Sequence, residues 1–360
     1  MKKETLFKII TIAIGLVFGL LLAEGGFRIY HYLNYYDLSD IDQGARVEMD
    51  SPEEEKTLGQ VIQRSVHPRV IYELLPSARY QFQGVLVETS AQGFRDKEYP
   101  AKKEVGTRRV IGLGDSVMFG WGVEEKQTYL SKVENGLNRQ DSLPWEMINT
   151  GVPGYNAAME VALLEAKIDQ SQVDLVIINF VGNDFDLPNF IQKKPAYWGI
   201  QKSFILEHFN DKNGFDERLR EAPFDAENWR FQRNPAEVPE EYRDMVGEEA
   251  YIASLRRLKQ LSEQQQFQVI VLSHSPFVQL PDFLPTTCQQ LGFEFVDVKP
   301  HWDAYVQEHP QAEWKIGEND WHPSIEGHEV IADVLQARIT VLFQNNLTPP
   351  SDARPPASVY

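Results

Sequence analysis

"IGLGDSVMFGWGV", Ile111–Val123, is the stretch on which the fold turns. The strand-like run "RRVI", from Arg108, leads into it, and glycines then bracket a serine where the pattern turns helical. A strand-to-helix turn of this kind serves two chemistries: phosphate binding at a helix N-terminus, or display of a nucleophile. The phosphate reading fails on detail. Gly112 and Gly114 begin a G-x-G-x-x-G, but Val117 stands at the third glycine position, no Gly-Lys-Ser/Thr follows, and Asp115 would repel a phosphate. The nucleophile reading draws on the same residues. Ser116 would sit at the carboxyl end of a strand, where open α/β sheets hold ligands, with its own N–H at a helix start able to donate to an oxyanion. The bland alternative for Ser116 is a helix N-cap.

Outward from this turn, apolar runs of strand length ("RRVIGLG", "WEMINTGV", "VDLVIINFVG", "FQVIVLSHS", "FEFVDV") alternate with helical patterns. The helices are expected near 127–139, 157–170 and 248–265, with a last one after Ser324. Near-continuous apolar strands separated by helices predict an α/β fold, a parallel sheet covered on both faces. Two more strands end in polar, glycine-containing turns, "MINTGVPGYNAA" and "VIINFVGNDFD". There Gly154 would let a backbone N–H approach closely and Asn183 would offer a neutral carboxamide donor, both useful to an oxyanion. Their alternatives are a turn glycine and a helix N-cap.

Near the end of the chain, "GENDWHPSIEGHEVIA" (Gly317–Ala332) packs two histidines around one proline. His322 precedes Pro323 and is pushed out of helical conformation, Ser324 can cap the next helix, and Val330, Ile331, Val334 and Leu335 follow at core spacing. His322 is therefore expected in a loop at the rim of the sheet, where a base belongs, and His328 in a structural role. A zinc reading of "HEVIA" fails because Ala332 occupies the second ligand position of H-E-x-x-H, so neither metal nor cofactor is expected. His274, in "VLSHSP", ends a strand near the same edge and either lines the site or caps the strand.

Ser116 in "GDS", Gly154 in "GVPG", Asn183 in "GND" and His322 in "DWHP" each follow a core strand, in that order. The set resembles the SGNH hydrolases, the GDSL-type esterase/lipase family, over roughly Arg109 to Leu342. The resemblance implies a flavodoxin-like three-layer α/β/α sandwich and a metal-independent serine ester hydrolase. In that pattern Ser116 is the nucleophile, His322 the base, and the Ser116 N–H, Gly154 N–H and Asn183 side chain form the oxyanion hole. Much of the family places aspartate three residues before the histidine, but here that position is Asn319; Asp320, two before, is the acid expected to orient His322. A bare Ser116–His322 pair steadied by a backbone carbonyl is the alternative. The lead-in "SAQGFRDKEYP" and the N-terminal segment are similar to a membrane-tethered bacterial subgroup associated with cell-envelope polysaccharide. The expected substrate is a short-chain O-acyl ester, such as an acetyl ester, on an envelope or extracellular glycan. A sugar hydroxyl in place of water would make the same acyl-enzyme an O-acyltransferase. A silent glycan- or partner-binding envelope protein is the reading from another class; its mark would be loss of the serine, asparagine or histidine, and all three are present.

With 360 residues the chain can bury a large core, and its formal net charge of -18 excludes nucleic acid and a basic patch for anionic lipid. Cys288 is its only cysteine, so no intrachain disulfide forms. At the N-terminus, Lys2, Lys3 and Lys8 precede an uncharged apolar run, Ile9–Ala23, that approaches the ~20 residues of a membrane helix. The lysines predict a cytoplasmic N-terminus and an extracytoplasmic remainder. A cleaved signal peptide is the alternative, with only the poor site Ala23-Glu24-Gly25 to serve it. The expected organisation is an anchor over 1–26, a linker or stalk over 27–66, accessory strands over 67–107, and the main domain over 108–343. An aromatic- and charge-rich insertion interrupts that domain at 185–249, and a disordered Pro-rich tail occupies 344–360.

Overall fold

The computed structural model describes residues 3–34, 38, 41, 54–191, 193, 195–211, 214, 218, 224 and 230–345. The five apolar runs form one parallel sheet: β1 (Arg108–Leu113), β2 (Trp145–Asn149), β3 (Leu175–Phe180), β4 (Gln268–Ser273) and β5 (Glu294–Asp297), in the spatial order β2-β1-β3-β4-β5. That is the flavodoxin-like order, with its switch point between β1 and β3. Successive strand residues face opposite sides, so a continuous apolar run feeds two cores at once. Val110, Leu175, Ile177, Ile270 and Leu272 enter one core; Ile111, Leu113, Val176, Ile178, Val269 and Val271 enter the other.

Among the described residues, helices α1 (Lys3–Leu33) and α4 (Phe204–Asn210) lie outside the sandwich, and six α-helices of more than two turns cover it. On one face α2 (Tyr129–Gln140), α7 (Lys299–Glu308) and α8 (Ile325–Asn345) contribute Val133, Trp302, Ile331 and Leu335. On the other, α3 (Ala157–Lys167), α5 (Glu248–Gln265) and α6 (Phe283–Leu291) contribute Leu164, Leu255, Leu258 and Leu284. The three-layer α/β/α architecture follows directly.

Two expected boundaries move. The N-terminal helix does not stop at residue 26: α1 continues through Gly25-Gly26 to Leu33, because Glu24, Phe27, Arg28 and His31 find partners among residues 199–208. The accessory unit also begins before residue 67. Leu58–Val61 form a helical turn, and strands Ile62–Arg64 with Tyr72–Leu74 and Arg79–Phe82 with Val85–Glu88 make two antiparallel hairpins. Leu58, Val61, Ile62, Tyr72, Tyr80 and Phe82 are buried in the second core, and that burial holds the segment in place. The acidic part of the linker over 42–53 and the tail from 346 lie outside the described residues. α1 is long and apolar enough to cross a membrane, with a mean hydropathy of 2.5 in its most apolar window and none of that window buried.

Candidate active site

β1 delivers the chain through Gly114 and Asp115 into a one-turn helix, Ser116–Phe119. Asp115, not Ser116, is its N-cap: Oδ1 accepts from the Val117 N–H at 2.9 Å. Burial pushes the Asp115 carboxyl up, against the pull of the Val117 N–H, the nearby His322 and the Asn183 carboxamide. With capping done by its neighbour, the Ser116 hydroxyl is left for another partner. It lies 3.3 Å from Asp115 Oδ2 but only 2.7 Å from His322 Nε2, and the shorter contact takes its proton.

His322 stands not in an open loop but on a short hairpin, Lys315–Gly317 paired antiparallel with Asp320–Pro323. Gly317 pairs with Asp320, so Glu318 and Asn319 form the two-residue turn. Asp320 and His322, two apart on a strand, share a face. Asp320 Oδ1 accepts from His322 Nδ1–H at 2.6 Å and from the His322 backbone N–H at 3.0 Å. Nδ1 therefore carries the proton and Nε2 turns its lone pair to Ser116. Asp320 Oδ2 accepts from Trp121 Nε1–H at 3.1 Å, and the Trp121 indole stacks on the imidazole with centroids 4.7 Å apart and planes 11° from parallel. Half-burial raises the Asp320 pKa, but the His322 and Trp121 hydrogen bonds outweigh it and hold the carboxyl below its usual range. Beyond the hairpin, Ser324 Oγ accepts from the Gly327 N–H at 3.1 Å and caps α8 as its sequence position predicts.

The loop bearing Trp121 is clamped by Arg95, from the "GFRD" lead-in. Its guanidinium, 1% exposed, donates to the carbonyls of Phe119, Gly120 and Val123. Burial brings the Arg95 pKa down to about 10, and the group stays charged at neutral pH. The neighbouring Asp96 accepts from the Asn149 N–H at 2.8 Å, which ties the same lead-in to the end of β2.

After β2, Val152–Tyr155 form a turn closed by Tyr155 N–H to the Val152 carbonyl at 3.1 Å. Pro153 precedes Gly154 at φ +84°, the type II pattern, whose third position favours glycine. A Cβ there would meet Tyr72 Oη at 2.8 Å and Pro188 Cγ at 3.1 Å. Asn183 follows β3; its Nδ2 donates to the Tyr155 carbonyl at 3.3 Å, and its carboxamide also hydrogen-bonds the Asp115 carboxyl. It caps no helix, since the chain runs on through a turn into the strand Leu187–Pro188. Among the described residues the N–H groups of Ser116 and Gly154 have no hydrogen-bond partner. Ser116 after β1 and Asn183 after β3 flank the switch point of the sheet.

In front of Ser116 is a cavity of about 250 Å³, walled by Ser116, Asn183, His274 and His322 and by the apolar Val181, Phe231, Phe277, Val278 and Trp321. Gly154 is not among its walls. A larger cavity of about 720 Å³ between β5, α7 and α8 contains no serine, threonine or cysteine and none of these residues. His274 is buried, with Nδ1 at 3.2 Å from the Phe180 carbonyl; burial brings its pKa down to about 3, and it is neutral. His328 is a structural residue: its Nδ1 accepts from the Tyr129 N–H at 3.2 Å and caps α2, its ring stacks on Tyr129, and burial holds it near 3. Sequence reasoning passed over Trp121, Phe231 and Phe277. Only Trp121 carried a local signal, as an aromatic between two glycines five residues after the serine.

Residues 113–330 match the model of the GDSL-like Lipase/Acylhydrolase family, more than half of the chain. No curated protein matches it. Among solved structures it is similar to an alpha/beta hydrolase enzyme from the metagenome of Lake Arreo, Spain, at 15% identity and TM-score 0.41, covering 65% of this chain and 96% of that one. It is similar also to an acetylxylan esterase from Geobacillus stearothermophilus at 16% identity and TM-score 0.38, covering 66% of this chain and 96% of that one. TesA is matched at 14% identity and TM-score 0.39, covering 65% of this chain and 99% of that one. The chain belongs to the GDSL-like lipase/acylhydrolase family and is a carboxylic ester hydrolase.

Proposed function

We propose that the chain cleaves a short-chain O-acyl ester of a cell-envelope glycan through a Ser116 acyl-enzyme. The observation that carries this reading is the continuous relay Asp320–His322–Ser116, with steps of 2.6 and 2.7 Å, opening on a cavity at the switch point. His322 Nε2 takes the Ser116 proton as Oγ attacks the ester carbonyl. The oxyanion is met by the Ser116 and Gly154 N–H groups and the Asn183 side-chain amide, each donor worth ~2.7–4 kcal/mol in sites of this kind. The imidazolium, balanced by Asp320, then protonates the leaving alkoxide, and water repeats the sequence to release the acid.

The small apolar-walled cavity favours a short acyl chain. At its rim Trp321 and Phe277 are exposed and edge-to-face at 6.5 Å, a surface suited to the apolar face of a sugar ring. α1, with its lysines inside, would hold this site outside the cytoplasm. Full-length protein in detergent tests the nucleophile: a fluorophosphonate probe should label the wild type and not Ser116→Ala, and equal labelling of the two would overturn the assignment. Screening acetylated glycans and short-chain esters tests the substrate. Acyl transfer to a sugar without net hydrolysis would make the enzyme a transferase, and activity confined to long-chain lipid esters would exclude the glycan reading.

A further inference from the structure

The end of α1 beyond its apolar stretch is packed against the insertion. Glu24 accepts from Ser203 Oγ and from the Phe204 and Ile205 N–H groups, at 2.9, 3.0 and 3.1 Å, and so caps α4 from outside. Arg28 donates to the carbonyls of Tyr197, Gly199 and Lys202 and lies over the Phe204 ring. Phe27 meets His208 and Phe209, His31 meets Phe204, and Tyr32 meets Tyr197. Residues 197–210 are thus bound along one side of Glu24–Tyr32. Yet this segment also exposes large apolar side chains: Trp198 at 71%, Ile200 at 99%, Leu206 at 64% and Phe209 at 73%.

We propose that residues 197–210 are an interfacial foot that inserts these side chains into the outer leaflet beside α1, giving the catalytic domain a second membrane contact. The proposal rests on the reading of α1 as a membrane anchor. Leu6–Ala23 is a stretch of ~27 Å at 1.5 Å per residue, close to the ~30 Å of a hydrocarbon core, so Glu24 onward emerges into the headgroup layer. The foot is tied to that level by the Glu24 and Arg28 bonds. Trp198, with Tyr30 and Tyr32 of α1 also exposed, has the composition of an aromatic interface belt. With a net charge of -18 the chain gains nothing from anionic headgroups, which leaves apolar insertion as the attractive term. The insertion starts just after Asn183 and brings Phe231 back beside it, where Phe231–Gln232 pairs with Leu187–Pro188; Asn183 and Phe231 are both on the cavity wall, and Arg233 and Asp186 are paired at 2.7 Å. The foot would therefore hold the cavity at a set height above the membrane.

The test uses full-length protein in phosphatidylethanolamine/phosphatidylglycerol vesicles containing a shallow nitroxide-labelled lipid. An environment-sensitive fluorophore is placed by Ile200→Cys or Leu206→Cys, with Phe18→Cys as the buried-in-lipid control and Val105→Cys as the aqueous control; Cys288 is buried. Unchanged melting temperatures confirm that the labelled variants are folded. Emission at 200 and 206 should shift blue and fall about twofold or more relative to 105, as expected for side chains ~5–10 Å into the headgroup boundary. If 18 is quenched and 200 and 206 behave like 105, the foot alone is overturned. If 18 itself is unquenched, the anchor reading falls and the foot with it. A blue shift without lipid quenching that grows with protein-to-lipid ratio would assign the patch to a second copy and overturn the lipid contact.

Discussion

Replacing Asp320 by asparagine separates the two roles the proposed relay gives its carboxylate, holding the imidazole tautomer and balancing the imidazolium. Three N–H groups converge on its two oxygens: the His322 backbone N–H and Nδ1–H on Oδ1, and Trp121 Nε1–H on Oδ2. Asparagine brings one acceptor. With its oxygen toward His322 it satisfies two donors and keeps the productive tautomer, but turns its NH₂ onto the Trp121 N–H. With its oxygen toward Trp121 it satisfies one donor, opposes the His322 backbone N–H, and drives the ring proton to Nε2, where Ser116 can no longer be deprotonated. The first orientation wins, so Asp320→Asn chiefly loses counter-charge. In the serine-protease template the corresponding change traps the wrong tautomer and costs ~10⁴ in kcat. Here the expected loss is ~10²–10³, about 3–4 kcal/mol at ~1.36 kcal/mol per decade. The assay is kcat on a short-chain p-nitrophenyl ester, with Ser116→Ala as the floor and melting temperature as the fold control. A loss below about tenfold would refute the charge-balancing role and reduce the site to a Ser116–His322 dyad. A loss equal to that of Ser116→Ala would show that the amide settles in the second orientation.

Trp121→Phe keeps a ring to stack on His322 but removes the donor to Asp320; kcat should fall about tenfold with KM little changed, and the acid limb of the pH–rate profile should move up as Asp320 loses a hydrogen bond. Gly154→Ala places a Cβ at φ +84° and 2.8 Å from Tyr72 Oη; melting temperature should drop and kcat should fall about tenfold or more, and an unchanged kcat would remove Gly154 from the oxyanion hole. For His328 the folded pKa, about 3, lies below the unfolded ~6.5, so the unfolded chain binds its proton first and stability is lost as pH falls from 6.5 toward 3. The stability gap between wild type and His328→Gln, measured by urea unfolding, should therefore narrow by about 1.6 kcal/mol between pH 6.5 and 5; a constant gap would mean that the buried ring is protonated. Hydrolysis should continue at full rate in excess EDTA, and a loss restored by a divalent ion would overturn the metal-free relay.

The five strands were legible because a strand buried on both faces must be apolar at consecutive positions. Ser116 and Asn183 were legible because polar groups directly after such strands can stand only at the sheet's carboxyl edge; His322, on a hairpin beyond α7, was legible only through the proline that follows it. Ser324, set between a proline and an apolar helical period, announced its cap. α6 and α7 were not legible: "FLPTTCQQL" and "KPHWDAYVQE" bury only Leu284 and Cys288, and Trp302, too few positions to set a period. The extension of α1 past Gly25-Gly26 was equally hidden, since the partners of Glu24 and Arg28 lie more than 160 residues away. The choice between Asn319 and Asp320 rests on one strand pairing, Gly317 with Asp320, which puts Asn319 in the turn and Asp320 on the face of His322. Local sequence names candidate acids but does not set a hairpin's register. Trp121 reaches that carboxylate across 199 residues, a contact that exists only because β1 and the last hairpin converge on the same edge of the sheet.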